Sequence, residues 1–289
     1  MASGSGPATA GAGTFSGAHG KGEAMDISSY LIDEKPFYRE IDAEIGLFEA
    51  AYANRLPVML KGPTGSGKTR FIEYMAWRLG KPLITVSCHE DMTASDLVGR
   101  YLLDAQGTFW SDGPLTQAVR HGAICYLDEI AEARQDTTVI IHSLGDARRV
   151  LPVEKKSELV HAHDDFHLVI SYNPGYQSAV KNLKESTKQR FVAIDFTYPE
   201  AAIEAEIIVH EAGVSHDVAT LLVRIGRQSR NLKGHGIDEG ASTRMLLHAG
   251  RLIASGLPVA KACAAALALP LTDDLDAREA LEKAIDSCL

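Results

Sequence analysis

The chain has 289 residues, 45% of them hydrophobic and 23% charged, enough apolar material for one large or two modest packed domains. Its 29 basic and 38 acidic residues give a formal charge of −9, which argues against a broad surface for a phosphate backbone and so against nucleic acid as the partner. No apolar run approaches the roughly 18 residues of a membrane span, and the four cysteines, at 88, 125, 263 and 288, form no CxxC pair and fit a reducing cytoplasmic compartment.

Residues 1–24 are almost entirely Gly, Ala, Ser, Thr and Pro without apolar period, which predicts a flexible tail or cloning remnant, with Met25 as the natural start. They lack the basic region and apolar core of a secretory signal. A helix is expected over 40–54 and a strand over 58–61. Gly62, Pro63, Thr64, Gly65, Ser66, Gly67, Lys68 and Thr69 then spell GPTGSGKT, with a helix predicted over 68–79. Strand, glycine-rich loop and helix in that order are the context of a Walker A phosphate loop. The glycines let successive backbone N–H groups point at phosphates, Lys68 supplies a cation, and Thr69 supplies a hydroxyl for Mg²⁺.

A strand is predicted over 83–87, then a hairpin whose arms 101–103 and 108–110 flank Asp104-Ala105-Gln106-Gly107. Phe109 and Trp110 are its side chains best suited to lining a channel or gripping a partner; covering apolar surface between neighbouring elements is the equal alternative. A helix over 115–121 leads to a buried strand over 124–127, and Asp128-Glu129 stands at its C-terminal end, where parallel sheets bind ligands. In a Walker B arrangement Asp128 holds Mg²⁺ and Glu129 polarises the attacking water. A helix is expected over 137–148, a second hairpin pairs 150–153 with 158–161, and strands are expected over 167–171 and 191–196. His161, His163 and His167 lack a nearby Cys or acidic pair at ligand spacing and are read as structural. From Pro199 the strand signal fades, and the periods over 201–212, 218–230 and 244–255 predict a helical lid at 199–289 after an α/β core at 25–198.

GPTGSGKT, ICYLDE, QDTTVIIHSLGDARR, ISYNPGYQ, STKQRF and EGASTR, in this order, resemble the MoxR class of AAA+ ATPases, in its CbbQ and NorQ/NirQ branch, over residues 35–274. The resemblance implies an α/β fold: a P-loop NTPase core with a five-stranded parallel sheet and hairpin inserts near 101–110 and 150–162, followed by a small all-α lid domain. It implies an ATPase that uses ATP and Mg²⁺, with Asn173 as sensor 1, Arg190 as an arginine finger reaching a neighbouring subunit, and Arg244 as sensor 2. Arg148 and Arg149 are the runner-up interface arginines. The family further implies a homohexamer that works with a von Willebrand factor A-domain adaptor, in the cytoplasm or associated with a carboxysome. The overall look of the sequence leans to the CbbQ side, where the client is Rubisco and inhibitory sugar phosphates are released. The NorQ/NirQ side, serving nitric oxide or nitrite reductase, stays open as the close variant. A nucleic-acid-dependent AAA+ ATPase and a small-molecule kinase are the readings from other classes.

Overall fold

The computed structural model describes residues 27–105, 107–174, 183–234 and 237–289. The expected tail at 1–24, and Gly175, Tyr176 and Gln177 of the ISYNPGYQ segment, lie outside the described residues. Helix α1 spans Glu44–Ala53 and leads to strand β1, Val58–Lys61; helix α2 spans Lys68–Leu79 and strand β2 Leu83–Ser87. The short α3 (Ala94–Val98) precedes the hairpin β3 (Gly99–Asp104) and β4 (Gly107–Asp112), and α4 (Pro114–His121) leads to β5 (Ile124–Asp128). Helix α5 (Gln135–Ile140), the hairpin β6 (Val150–Val153) and β7 (Glu158–His161), strand β8 (His167–Tyr172), α6 (Glu185–Lys188) and β9 (Val192–Asp195) complete the α/β part. The C-terminal region is helical: α7 (Ala201–Ala212), α8 (His216–Asn231), α9 (Thr243–Ala254), α10 (Val259–Cys263), α11 (Leu269–Leu271) and α12 (Leu275–Asp286).

The five strands of the main sheet are all parallel, in the order β2-β5-β8-β1-β9. Every residue of β8 is buried, as are Ile124–Leu127 of β5, which is why these segments read as continuous apolar runs rather than alternating ones. One face of the sheet packs on Phe48, Phe71 and Met75 from α1 and α2; the other on Leu97, Leu115, Ile141 and the second hairpin's Leu151 and Val153. The helical region carries its own buried cluster around Ile208, Leu222 and Leu246. All four cysteines are free and buried.

The two hairpins lean on one another. The Tyr101 hydroxyl donates to the Lys155 carbonyl at 3.3 Å, and Arg120 pairs with both Asp112 at 2.9 Å and Glu158 at 2.7 Å. Trp110 is partly buried against the core, whereas Leu103 is 81% exposed and Phe109 and Tyr101 also face solvent.

Two helices differ from expectation. Helix α1 starts at Glu44, not residue 40, because the Glu44 carboxylate accepts from the amides of Ile41 (2.8 Å) and Asp42 (2.7 Å) and holds that stretch outside the helix. The helix expected over 137–148 ends at Ile140 and continues only as the 3₁₀ turn Ile141–Ser143. Asp146 takes the Arg148 amide at 3.0 Å and its guanidinium at 2.6 Å, and Arg149 adopts a φ of 48°, so side-chain capture by a turn aspartate outcompetes the helix. Arg149 donates onward to the His163 and Phe166 carbonyls, at 3.1 and 3.0 Å.

Candidate active site

The phosphate loop leaves the end of β1 and enters α2 through two left-handed glycines, Gly65 at φ 69° and Gly67 at φ 98°. A side chain at Gly65 would place its Cβ 2.7 Å from Ser242 of the helical region, so only glycine lets the loop and that region meet. The first turn of α2 contains no acidic residue, leaving the positive end of its dipole open to an anion. Lys68 is buried, and its Nζ donates to the carbonyls of Gly62 and Pro63 and to Asn173 Oδ1, each at 2.8 Å. Burial pushes the Lys68 ammonium down to about 8, against the opposing pull of Asp128 and Glu129.

Asp128 and Glu129 end β5 beside that lysine. Asp128 Oδ1 accepts from the Tyr126 phenol and from Ser171 Oγ, both at 2.6 Å, and the Thr69 side chain lies beside the same phenol. Glu129 adopts φ 55° and ψ 44°, with its amide donating to Ser171 Oγ at 2.7 Å. Such a left-handed glutamate is strained, and the fully buried serine behind it holds it there. Its carboxylate is exposed toward the loop, 3.5 Å from Asn173 Nδ2, which also donates to Thr64 Oγ1 at 3.1 Å.

These groups open on one cavity of about 480 Å³, bordered by Gly65, Lys68, Thr69, Asp128, Glu129 and Asn173. Arg244, in the first turn of α9, faces it from the helical region; its charge adds to the depression of the Lys68 pKa. The cavity is also lined by Phe37, Tyr38 and Ile41 from the segment before α1 and by Ile207, Leu247 and His248 from the helical region. Glu44 pins that first segment, taking the Tyr38 hydroxyl at 2.6 Å as well as the two amides, while Phe37 stacks on His210 of α7 at 3.8 Å. Sequence reasoning missed this lining and Ser171; an aromatic pair after Pro36 in a stretch without period was the available signal. Arg190 is not among the residues that border this cavity. Its guanidinium donates to the Ser186 carbonyl, its side chain lies by Gly145, and its Nε has no hydrogen-bond partner among the described residues.

A phosphate loop, an acidic strand end and a facing helical region on this strand order define the class: a P-loop ATPase with the AAA+ fold. Residues 57–191 match the AAA domain (dynein-related subfamily), and residues 204–288 match the CbbQ/NirQ/NorQ C-terminal family. Protein CbbQ of Hydrogenophilus thermoluteolus is 63% identical over 261 residues, covering 90% of this chain and 98% of that protein. Protein NorQ of Paracoccus denitrificans is 53% identical over 248 residues, covering 86% and 92%. A solved Thermotoga maritima RuvB variant shares the fold, with a TM-score of 0.51 at 16% identity over 84% of this chain and 70% of that one. The chain belongs to the CbbQ/NirQ/NorQ family, in the MoxR class of AAA+ ATPases. No helix among the described residues is long and apolar enough to cross a membrane.

Proposed function

We propose that this chain is the motor of a protein-remodelling machine, a Mg²⁺-dependent ATPase that acts as a homohexamer. With a von Willebrand factor A-domain adaptor, it reactivates Rubisco by releasing inhibitory sugar phosphates. The observation that carries the ATPase is the meeting of Lys68, Asp128, Glu129 and Asn173 at the ends of β1, β5 and β8 around one cavity. Gly62, Pro63, Thr64, Gly65, Ser66 and Gly67 would cradle the phosphates with backbone amides, and Lys68 would exchange its neutral acceptors for phosphate oxygens. The Asp128 carboxylate and the Thr69 hydroxyl border the same cavity beside the Tyr126 phenol, a set of hard oxygens that fits Mg²⁺. When bound, that ion neutralises charge on the phosphate oxygens. Glu129 would take the proton of the attacking water, with Asn173 orienting it and Arg244 reporting phosphate occupancy to the helices. Arg190, outside its own chain's cavity, would serve a neighbour's site.

The separate buried cluster of the helical region supports a division into a core at 25–198 and a lid at 199–289 that swing against each other on hydrolysis. The client assignment rests on the higher identity to CbbQ, 63% against 53% for NorQ, and the latter supports maturation of a nitric oxide or nitrite reductase as the second reading. A cytoplasmic setting, free or with a carboxysome, goes with either. The acidic charge balance counts against nucleic acid as substrate. The test is CO₂ fixation by inhibitor-blocked Rubisco after adding this protein, ATP and the adaptor, with Glu129→Gln as control. Recovery is expected only with the active ATPase. A blocked enzyme that stays silent while ATP is consumed moves the client toward a reductase.

A further inference from the structure

Tyr198 lies between β9 and α7, at the junction of the sheet and the helical region. Its hydroxyl donates to the Thr64 carbonyl in the phosphate loop at 3.3 Å, and its ring stacks under the Arg230 guanidinium, 3.9 Å from the centroid. Arg230, near the end of α8, forks onto the fully buried Glu204 of α7 at 2.9 and 2.6 Å and donates through Nε to the Ala241 carbonyl at 2.8 Å. The same carboxylate accepts the Thr243 hydroxyl at 2.6 Å. Thr243 opens α9, and the next residue is Arg244. One bonded chain therefore runs from the phosphate loop through three helices to the residue beside Arg244.

Its strengths are uneven. A buried carboxylate holding a two-pronged arginine and a threonine resists rearrangement, because separating them leaves a charge unpaired in the interior. That part fixes α7, α8 and α9 to one another. The 3.3 Å bond from Tyr198 to Thr64 is the long link, made by one neutral hydroxyl. Thr64 is also held from the other side, since its hydroxyl accepts from Asn173, which holds Lys68 and faces Glu129. The groups that a terminal phosphate would displace and the groups that orient the helical region thus meet on a single residue.

We propose that Tyr198 is a positioning residue, coupling the presence of a terminal phosphate to the angle of the helical region through Thr64 on one side and the Arg230–Glu204–Thr243 cluster on the other. The inference rests on the nucleotide reading above. A coupling of this kind appears as a difference between ligands: the closed arrangement adds affinity for a triphosphate and not for a diphosphate.

The experiment measures binding of ATP and of ADP by calorimetry to the full chain carrying Glu129→Gln, so that ATP persists. The parent is expected to prefer ATP, and Tyr198→Phe, which keeps the ring on Arg230, is expected to narrow that preference at least about threefold with an unchanged melting temperature. Tyr52→Phe is the control: it deletes a hydroxyl bonded to the Asp165 carbonyl at the same 3.3 Å, at the opposite end of β8, and leaves the ratio unmoved. Thr243→Val should narrow the ratio as well, and Thr243→Ser should restore it. A parent without preference, an unchanged ratio in Tyr198→Phe, or an equal weakening of both nucleotides overturns the coupling while the ATPase reading stands. A parent that binds neither nucleotide removes both.

Discussion

Asn173 holds Lys68: its Oδ1 accepts from the lysine Nζ at 2.8 Å, while its amide nitrogen reaches Thr64 at 3.1 Å and Glu129 at 3.5 Å. The lysine is thereby occupied by three neutral acceptors, two of them loop carbonyls, in a buried position. Phosphates held as proposed would displace these acceptors, and the same exchange would replace dipoles with anions.

That exchange predicts proton uptake. The Lys68 ammonium sits at about 8 without phosphate, and a polyanion raises it again. At pH 8 about half a proton should be taken up per nucleotide bound, and at pH 7 only about a tenth, since the lysine is then charged already. The sign is fixed: affinity is full below pH 8 and weakens as pH rises, by up to about tenfold per unit until the bound-state value is passed. Calorimetry in buffers of different ionisation enthalpy reads the uptake directly. Binding that is flat from pH 7 to 9.5 would contradict a lysine–phosphate exchange.

Ser171 is the group behind both acidic residues, donating to Asp128 at 2.6 Å and accepting the Glu129 amide at 2.7 Å. Ser171→Ala leaves Asp128 with one fewer partner and frees the strained Glu129 backbone. The Mg²⁺ concentration for half-maximal ATPase should rise about 10- to 100-fold, the range for losing a group that orients a metal ligand. Nucleotide binding without metal should change by less than about twofold, because the phosphate cradle is untouched. A metal titration that superimposes on the parent would show that Ser171 only fills the strand.

Much of this site was legible because its chemistry is local in sequence. Glycine spacing gave the loop, and an apolar run ending in Asp128-Glu129 gave the acidic strand end. The sheet order was not legible, because β1 reaches β8 and β9 only through pairings more than a hundred residues distant in the chain. Ser171, inside an apolar strand, looks like any small core residue until β8 is laid beside β5. The pairing of Glu204 with Arg230, a fully buried carboxylate on a part-buried guanidinium, joins residues 26 apart on two helices and leaves no trace in the period of either helix. The start of α1 was misplaced because propensity does not see a glutamate side chain taking the amides ahead of it.

His167 shows what a buried imidazole costs in acid. It packs against the rings of Phe48 and Tyr52 at 5.1 and 5.2 Å, and its Nε2 has no hydrogen-bond partner among the described residues. Burial, with a smaller push from Arg149, takes it down to about 3. Between that value and about 6.5 the unfolded chain binds the proton and the folded one does not, so stability is full above pH 6.5 and falls as pH drops. The loss from this residue at pH 5.5 is about 1.4 kcal/mol. His167→Leu should shrink the Tm difference between pH 7.5 and 5.5 by about 2–4 °C. An unchanged difference would place the acid sensitivity elsewhere.

Arg190 tests the ring. Its guanidinium donates to the Ser186 carbonyl, its Nε is unpartnered among the described residues, and it does not border the cavity of its own chain. If it serves the site of a neighbour, Arg190→Ala should lower ATPase about a thousandfold or more while leaving nucleotide binding to the isolated subunit intact. Lys68→Ala should be inactive for the opposite reason, lacking the cradle cation but keeping the arginine. Mixed before assembly at equal amounts, the two dead proteins should regain activity, because about one quarter of randomly formed head-to-tail contacts pair an intact phosphate loop with an intact arginine. A residue that merely stabilises its own subunit gives no such complementation. Silence at every mixing ratio, with rings confirmed by light scattering, would therefore assign Arg190 to its own chain and leave Arg148 as the exposed arginine to test next.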